Sequence, residues 1–217
     1  SLDANTTGSN NTGVGRNALT SATTADNNTS VGYNSMRVTT TGDSNVAVGN
    51  GTLDANTTGS SNTGVGRQAL DANTTASNNT AIGYNSMVEN TTGYHNVAVG
   101  TLAGYHNTTA AYNTFVGNTT GYNLTTGQYN TAIGDRALAG ATNTGSENTM
   151  IGHWAGYDVT TGGSNCAMGT STLGNLTTGS NNVALGKVAM HDSTTAGNNT
   201  AVGYGAGYNV TTGSSNV

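Results

Sequence analysis

The pentad Asn79-Thr80-Ala81-Ile82-Gly83 returns seventeen residues later as Asn96-Val97-Ala98-Val99-Gly100, and the same spacing runs in both directions from there. Its closing glycine stands at Gly15, Gly32, Gly49, Gly66, Gly83, Gly100, Gly117 and Gly134. After one step of eighteen it resumes at Gly152, Gly169, Gly186 and Gly203. An array this regular is a stack of identical supersecondary units rather than a disordered Gly/Asn/Thr chain. Thr, Asn, Val and Gly are poor helix formers, and seventeen residues are too few for a two-helix repeat, so each unit is expected to be a coil of strand and turns. The fold class read from this is all-β, a parallel β-solenoid of 17-residue coils. The chain 1–217 is read as a single array of about twelve coils, with one 18-residue coil near 130–147 whose extra residue falls in Ala139 to Asn143.

Within the pentad, alternation places the aliphatic and the Thr or Val two places earlier on one side, as in Val97 and Val99. The asparagine, the small residue and the glycine take the other. A small-aliphatic pair such as Ala18-Leu19 or Ser35-Met36 follows, read as a second short extended piece. At Gly104, Gly121, Gly156 and Gly207 the aliphatic is missing and a tyrosine comes next, read as the same contact supplied from an adjacent place. A Thr-Thr pair and a small residue close each coil, as in Thr57-Thr58-Gly59, where glycine suits a bend of positive φ.

Stacking at roughly 4.8 Å per coil would make a rod about 60 Å long with like side chains over like. The pentad asparagines Asn11, Asn28, Asn45, Asn62, Asn79, Asn96, Asn113, Asn130, Asn148, Asn165, Asn182 and Asn199 are then expected to form a structural amide ladder. The small residues Ala47, Ala81, Ala98, Ala132 and Ala201 are read as points where neighbouring chains approach around a symmetry axis, which makes a trimer the expected oligomer.

Stretches such as Asn79-Thr80-Ala81-Ile82-Gly83-Tyr84-Asn85-Ser86-Met87 and Asn130-Thr131-Ala132-Ile133-Gly134 resemble the head repeats of trimeric autotransporter adhesins of the Yersinia-adhesin type, repeats also seen in phage tail fibres and bacterial surface fibres. The resemblance implies a left-handed β-roll that trimerises, projects from a cell or virion surface and binds host or matrix ligands. Ser1-Leu2 and Asn216-Val217 each occupy part of a repeat, so the chain is expected to be a segment of a longer array, truncated at both ends.

Composition bounds the chemistry. Charged residues are 7% of the 217, the net charge is -5, and the ten acids and five bases are thinly spread, which argues against a nucleic-acid partner. No apolar stretch is long enough to insert in a membrane. Cys166 alone builds no disulfide framework and no zinc quartet. The histidines His95, His106, His153 and His191 fall at four different places in the repeat, and Asp3, Asp54 and Asp71 share one place without being neighbours along an unbroken column, so no metal site and no cofactor is expected. No phosphate loop or catalytic constellation is present, and the chain is not expected to be an enzyme.

Three features could carry function. Asn-x-Ser/Thr triplets at Asn5, Asn56, Asn73, Asn90 and Asn107 could accept glycans, or Asn and Thr could simply suit turns. Tyr84, Tyr94, Tyr105, Tyr112, Tyr122, Tyr129 and Trp154 could contact a ligand, or pack between coils. The threonine columns suggest ice adsorption, although adjacent threonines of a strand point to opposite faces. The expected role is a non-catalytic extracellular fibre segment at a cell or virion surface, its partners other copies of itself and a host-surface glycan or protein. The alternatives are a self-assembling filament subunit and, behind it, an ice-binding solenoid.

Overall fold

The computed structural model describes residues 2–217. The chain divides into two units, Ser1–Thr109 and Ala110–Val217. The first carries β1 (Thr12–Val14), β2 (Thr29–Val31), β3 (Val46–Val48), β4 (Thr63–Val65), β5 (Thr80–Ile82) and β6 (Val97–Val99). The second carries β7 (Thr114–Val116), β8 (Thr131–Ile133), β9 (Thr149–Ile151), β10 (Cys166–Met168), β11 (Val183–Leu185) and β12 (Thr200–Val202). Within each unit every strand pairs in parallel with the next and sets equivalent residues opposite one another, for example Thr80 on Val97 and Ile82 on Val99, or Cys166 on Val183 and Met168 on Leu185. Each unit is therefore a parallel β-solenoid whose coils are the seventeen-residue repeats.

The strand alternates as its spacing dictates, but the side that faces inward is the small one. Ala47, Ala81, Ala98 and Ala132 are wholly buried and Ala201 nearly so, while Val46, Val48, Val97, Ile82 and Ile133 are exposed. The reading of these alanines as points of approach between chains is overturned. The lumen of a coil is narrow, and the opposite wall supplies long side chains, Leu19, Met36, Leu53, Leu70 and Met87, all fully buried. At Gly64 a Cβ would sit 2.6 Å from Thr52 Cγ2 and 3.6 Å from Leu53 Cγ, so that coil lacks room even for a methyl group unless Thr52 shifts.

Where the opposite wall loses its aliphatic, the strand can replace it. A Cβ on Gly121 would strike the ring of Phe115, and one on Gly156 would strike the Met150 thioether. Both Phe115 and Met150 stand at the strand's inner place and are fully buried. Tyr122 and Tyr157 keep partial exposure at the surface. The bulk in these two coils thus comes from across the lumen, and the expectation that the following tyrosine supplies it does not hold.

The small-aliphatic pair is a turn rather than a second extended piece, because Leu19, Met36, Leu53, Leu70 and Met87 all take positive φ, 46 to 55°. Left-handed backbone is costly for such side chains. It is held by the neighbouring coil, as in Leu53 N–H to the Ala69 carbonyl at 3.0 Å and Met87 N–H to the Ala103 carbonyl at 2.9 Å. The Thr-Thr-Gly glycine is not the bend of positive φ either. That conformation falls two places later, on Asn10, Asn27, Ser44, Ser61 and Asn78 (φ 58 to 62°), directly before the ladder asparagine. The pentad glycine does need its freedom: Gly66 has φ +126°, and a Cβ there would lie 2.5 Å from the Gly83 carbonyl oxygen of the next coil.

The extra residue lies where the spacing put it. Gly121 N–H reaches the Ala137 carbonyl, sixteen residues on, and Thr125 N–H reaches the Asn143 carbonyl, eighteen on; the usual steps at these places are sixteen for Leu19 to Ser35 and seventeen for Thr91 to Thr108. The chain between 137 and 143 absorbs it, with the Asn123 amide donating to the Ala139 and Gly140 carbonyls at 3.0 and 2.9 Å.

Candidate functional site

The pentad asparagines line the inside of each coil. In the first unit Asn28, Asn45, Asn62, Asn79 and Asn96 are fully buried, and in the second Asn113, Asn148 and Asn182 are. The Oδ1 of Asn45 accepts from the main-chain N–H of Asn62 at 2.9 Å and from its Nδ2 at 3.2 Å, and the Nδ2 of Asn62 also donates to the Ala76 carbonyl at 2.8 Å. The pattern repeats through Asn130, Asn148, Asn165, Asn182 and Asn199. A buried amide with its donors and acceptor engaged offsets its desolvation and strengthens the stack.

A second column of buried amides holds four of the expected glycan acceptors. Asn56, Asn73, Asn90 and Asn107 are fully buried. Asn73 Nδ2 donates to Asn56 Oδ1 at 3.0 Å, and Asn90 Nδ2 donates to Asn73 Oδ1 at 2.9 Å. A glycosyl transfer needs that nitrogen exposed, so in the folded chain these four are closed to it. Asn5 is exposed, its Nδ2 donating to the Gly8 carbonyl at 2.9 Å.

The outward face of the strands carries exposed apolar side chains in register. In the first unit it stacks Val14, Val31, Val48, Val65, Ile82 and Val99 in one column and Thr12, Thr29, Val46, Thr63, Thr80 and Val97 in the other. In the second it stacks Val116, Ile133, Ile151, Met168, Leu185 and Val202 beside Thr114, Thr131, Thr149, Cys166, Val183 and Thr200. Val48 is 38% and Ile82 40% exposed, large values for side chains of this kind set in an ordered ribbon. Comparison with protein-family models, curated proteins and solved structures returns no match. The surface is accordingly interpreted on its own chemistry. The Thr-Thr columns lie elsewhere on the coil, and one of each pair is committed: the hydroxyls of Thr6, Thr23, Thr40, Thr57, Thr74 and Thr91 donate to carbonyls of the following coil at 2.8 to 3.2 Å.

In the first unit Tyr84 is exposed beneath the Arg67 guanidinium, 5.6 Å from the ring centroid, Tyr94 meets His95 edge-on at 5.5 Å, and Tyr105 meets His106 edge-on at 4.6 Å. In the second, Tyr112 stacks on Tyr129 at 5.0 Å and Trp154 on Tyr157 at 4.9 Å, while Tyr122 is half-buried. Three histidines sit beside acids: His106 Nδ1 is 2.8 Å from Glu89, His153 Nε2 is 3.5 Å from Asp135, and His191 Nδ1 is 2.7 Å from Asp192. Among the described residues no three His, Cys, Asp or Glu side chains converge as metal ligands would.

Asp54 and Asp71 keep their shared place in the repeat and stand on successive coils after Arg37, which corrects only the reading that they are not neighbours. Arg37 Nε pairs with Asp54 at 2.9 Å. One coil on, burial first and the Asp54 carboxylate second push the Asp71 carboxyl above its ordinary range. The grouping was legible in the spacing, since 37, 54 and 71 differ by seventeen. A second missed grouping is a half-open cavity of about 240 Å³ in the second unit, lined by Trp154, Tyr157, Asp158, Ser171, Gly174, Asn175 and His191. Only Trp154 among these was a candidate from sequence. The signal lay in one column, where Tyr157, Gly174 and His191 follow one another at seventeen-residue steps with the middle one lacking a side chain.

Proposed function

We propose that this chain is a non-catalytic segment of an extracellular fibre, in which copies associate through the outward strand face and the outer turns attach the fibre to a surface. The observation that carries the reading is the ribbon of Val and Ile that the register aligns and leaves in solvent within each unit. Covering such a ribbon removes apolar area at about 25 cal/mol per Å², and a closed ring of copies covers it in every subunit alike. The resemblance of the Asn-Thr-Ala-Ile-Gly repeats to trimeric adhesin heads favours three copies, a left-handed coil and exposure on a cell or virion. The adhesive role draws support from exposed rings such as Tyr84, Tyr129 and Trp154, which offer rigid contact surface at small entropic cost.

The test is the mass of the native particle. Sedimentation equilibrium is expected to give three chains, and V48K together with I82K to give one chain with an unchanged β-type circular dichroism spectrum. A wild-type monomer at high concentration would overturn the reading. Fibres that grow with concentration would replace it with the self-assembling filament.

A further inference from the structure

The cavity of the second unit arises from a missing side chain. Tyr157, Gly174 and His191 occupy one column on three successive coils, and because Gly174 projects nothing, a gap opens between the two rings. The His191 ring leans over it, its Cδ2 and Nε2 lying 3.0 and 3.1 Å from where a Gly174 Cβ would stand. Each ring is braced by a neighbouring ring. Tyr157 stacks on Trp154 with an interplanar angle of 18°, the Arg136 guanidinium sits 5.8 Å from the Trp154 centroid, and His191 stacks on Tyr208 at 5.3 Å. The aromatic walls are thus set before any guest arrives, which lowers the cost of binding.

Polar groups complete the lining. The Asp158 carboxyl is half-buried beside the rings and Ser171 offers a hydroxyl. The Asn175 amide is oriented by donating to Asp192 Oδ1 at 3.1 Å, and the same Asp192 oxygen lies 2.7 Å from His191 Nδ1, which leaves the Nε2 edge for the gap. Flat apolar walls with a carboxylate, an amide, a hydroxyl and an imidazole edge match a sugar ring, which pairs an apolar C–H face with a rim of hydroxyls that donate and accept. Asp158 and Asp192 oppose an acidic sugar. Arg136 already places a cation against Trp154, which opposes a quaternary ammonium guest. We propose that this cavity binds one neutral pyranose residue of a glycan, with Trp154 and Tyr157 as its platform and Asp158 as its principal hydroxyl acceptor. The proposal deepens, and rests on, the adhesive reading above.

Saturation-transfer NMR on the full chain tests it, with the methyl glycosides of glucose, galactose, mannose and N-acetylglucosamine as probes and sialic acid and choline as contrasting arms. At least one neutral glycoside is expected to receive saturation at its ring protons. Its affinity should fall roughly tenfold in D158N, an isosteric change worth one charge-assisted hydrogen bond, and should be lost in Y157A, while Y33A, at an exposed tyrosine of the first unit, leaves it unchanged. Circular dichroism of each variant checks that the coils persist. Binding of choline or sialic acid alone, no neutral glycoside bound, or a signal that survives both cavity variants overturns the site. If the cavity is inert while the chain still adheres to a cell or glycan surface, this inference falls and the adhesive reading stands. A glycoside bound in the cavity of a chain that adheres to nothing supports the site and removes the adhesive reading.

Discussion

The main-chain N–H and the Nδ2 of Asn45 both donate to Oδ1 of Asn28, at 2.8 and 3.1 Å, so one side chain bridges two coils through main chain and amide together. Neither residue has access to water that could substitute for the other.

Removing one rung should therefore cost far more than a surface asparagine. In N62A the Asn79 main-chain N–H loses its 3.0 Å acceptor and the Ala76 carbonyl loses its 2.8 Å donor. The Ala76 carbonyl keeps the Asn73 amide at 3.0 Å, so one stranded buried N–H predicts a loss of about 1 to 3 kcal/mol, read from urea melts. A loss under about 0.5 kcal/mol would show that the ladder is incidental.

Phe115 and Gly121 exchange volume across one lumen. F115A should cost about 3 to 5 kcal/mol through the cavity it leaves. The double variant F115A with G121L reproduces the arrangement of the ordinary coils, where Ala81 faces Met87 and Ala47 faces Leu53. It is expected to recover most of the loss, while G121L alone is destabilising because its side chain meets the Phe115 ring. Additive effects in the thermodynamic cycle would refute the exchange.

Thr39 stands in the column of the second amide ladder, and its Oγ1 is buried with no hydrogen-bond partner. T39V keeps the shape and deletes the stranded hydroxyl, so it should stabilise the first unit by about 1 kcal/mol. A melting temperature lowered by the change would mean that the hydroxyl is satisfied in solution.

Stability should also respond to pH through Asp71. Its carboxyl is raised by burial and by Asp54, so between its ordinary pKa and the raised one the folded chain holds a proton that the unfolded chain has lost. Stability from this group is complete below the ordinary carboxylate range and is lost as pH rises through the raised value. D71N is expected to melt at higher temperature than wild type at pH 7, with the advantage shrinking as the pH is taken into the acid range. A lower melting temperature for D71N at pH 7 would indicate that attraction to Arg37 outweighs burial.

Much of the architecture was readable because a repeat imposes its own symmetry. Once coils stack in register, every seventeenth residue is a neighbour, and the Asn28 to Asn45 contact follows from arithmetic. The sequence left the two readings of the Asn-x-Thr triplets open for a related reason: such a triplet at a turn describes the local chain and says nothing of whether the turn points its amide inward, as Asn73 does. The cavity at Gly174 was missed because it depends on how far Tyr157 and His191 lean along the stack, a property of side-chain rotamers in three coils at once.

Sequence alone determined the period, the short strand in each pentad, the amide ladder and the place of the extra residue, because each is a matter of spacing along the chain. Only the tertiary structure decided which side of the strand is the interior. Alternation separates Val97 and Val99 from Ala98 but is indifferent to which side is enclosed. The choice falls to volume: a lumen already filled by Met87 and its equivalents admits a methyl group and turns the valines out to solvent.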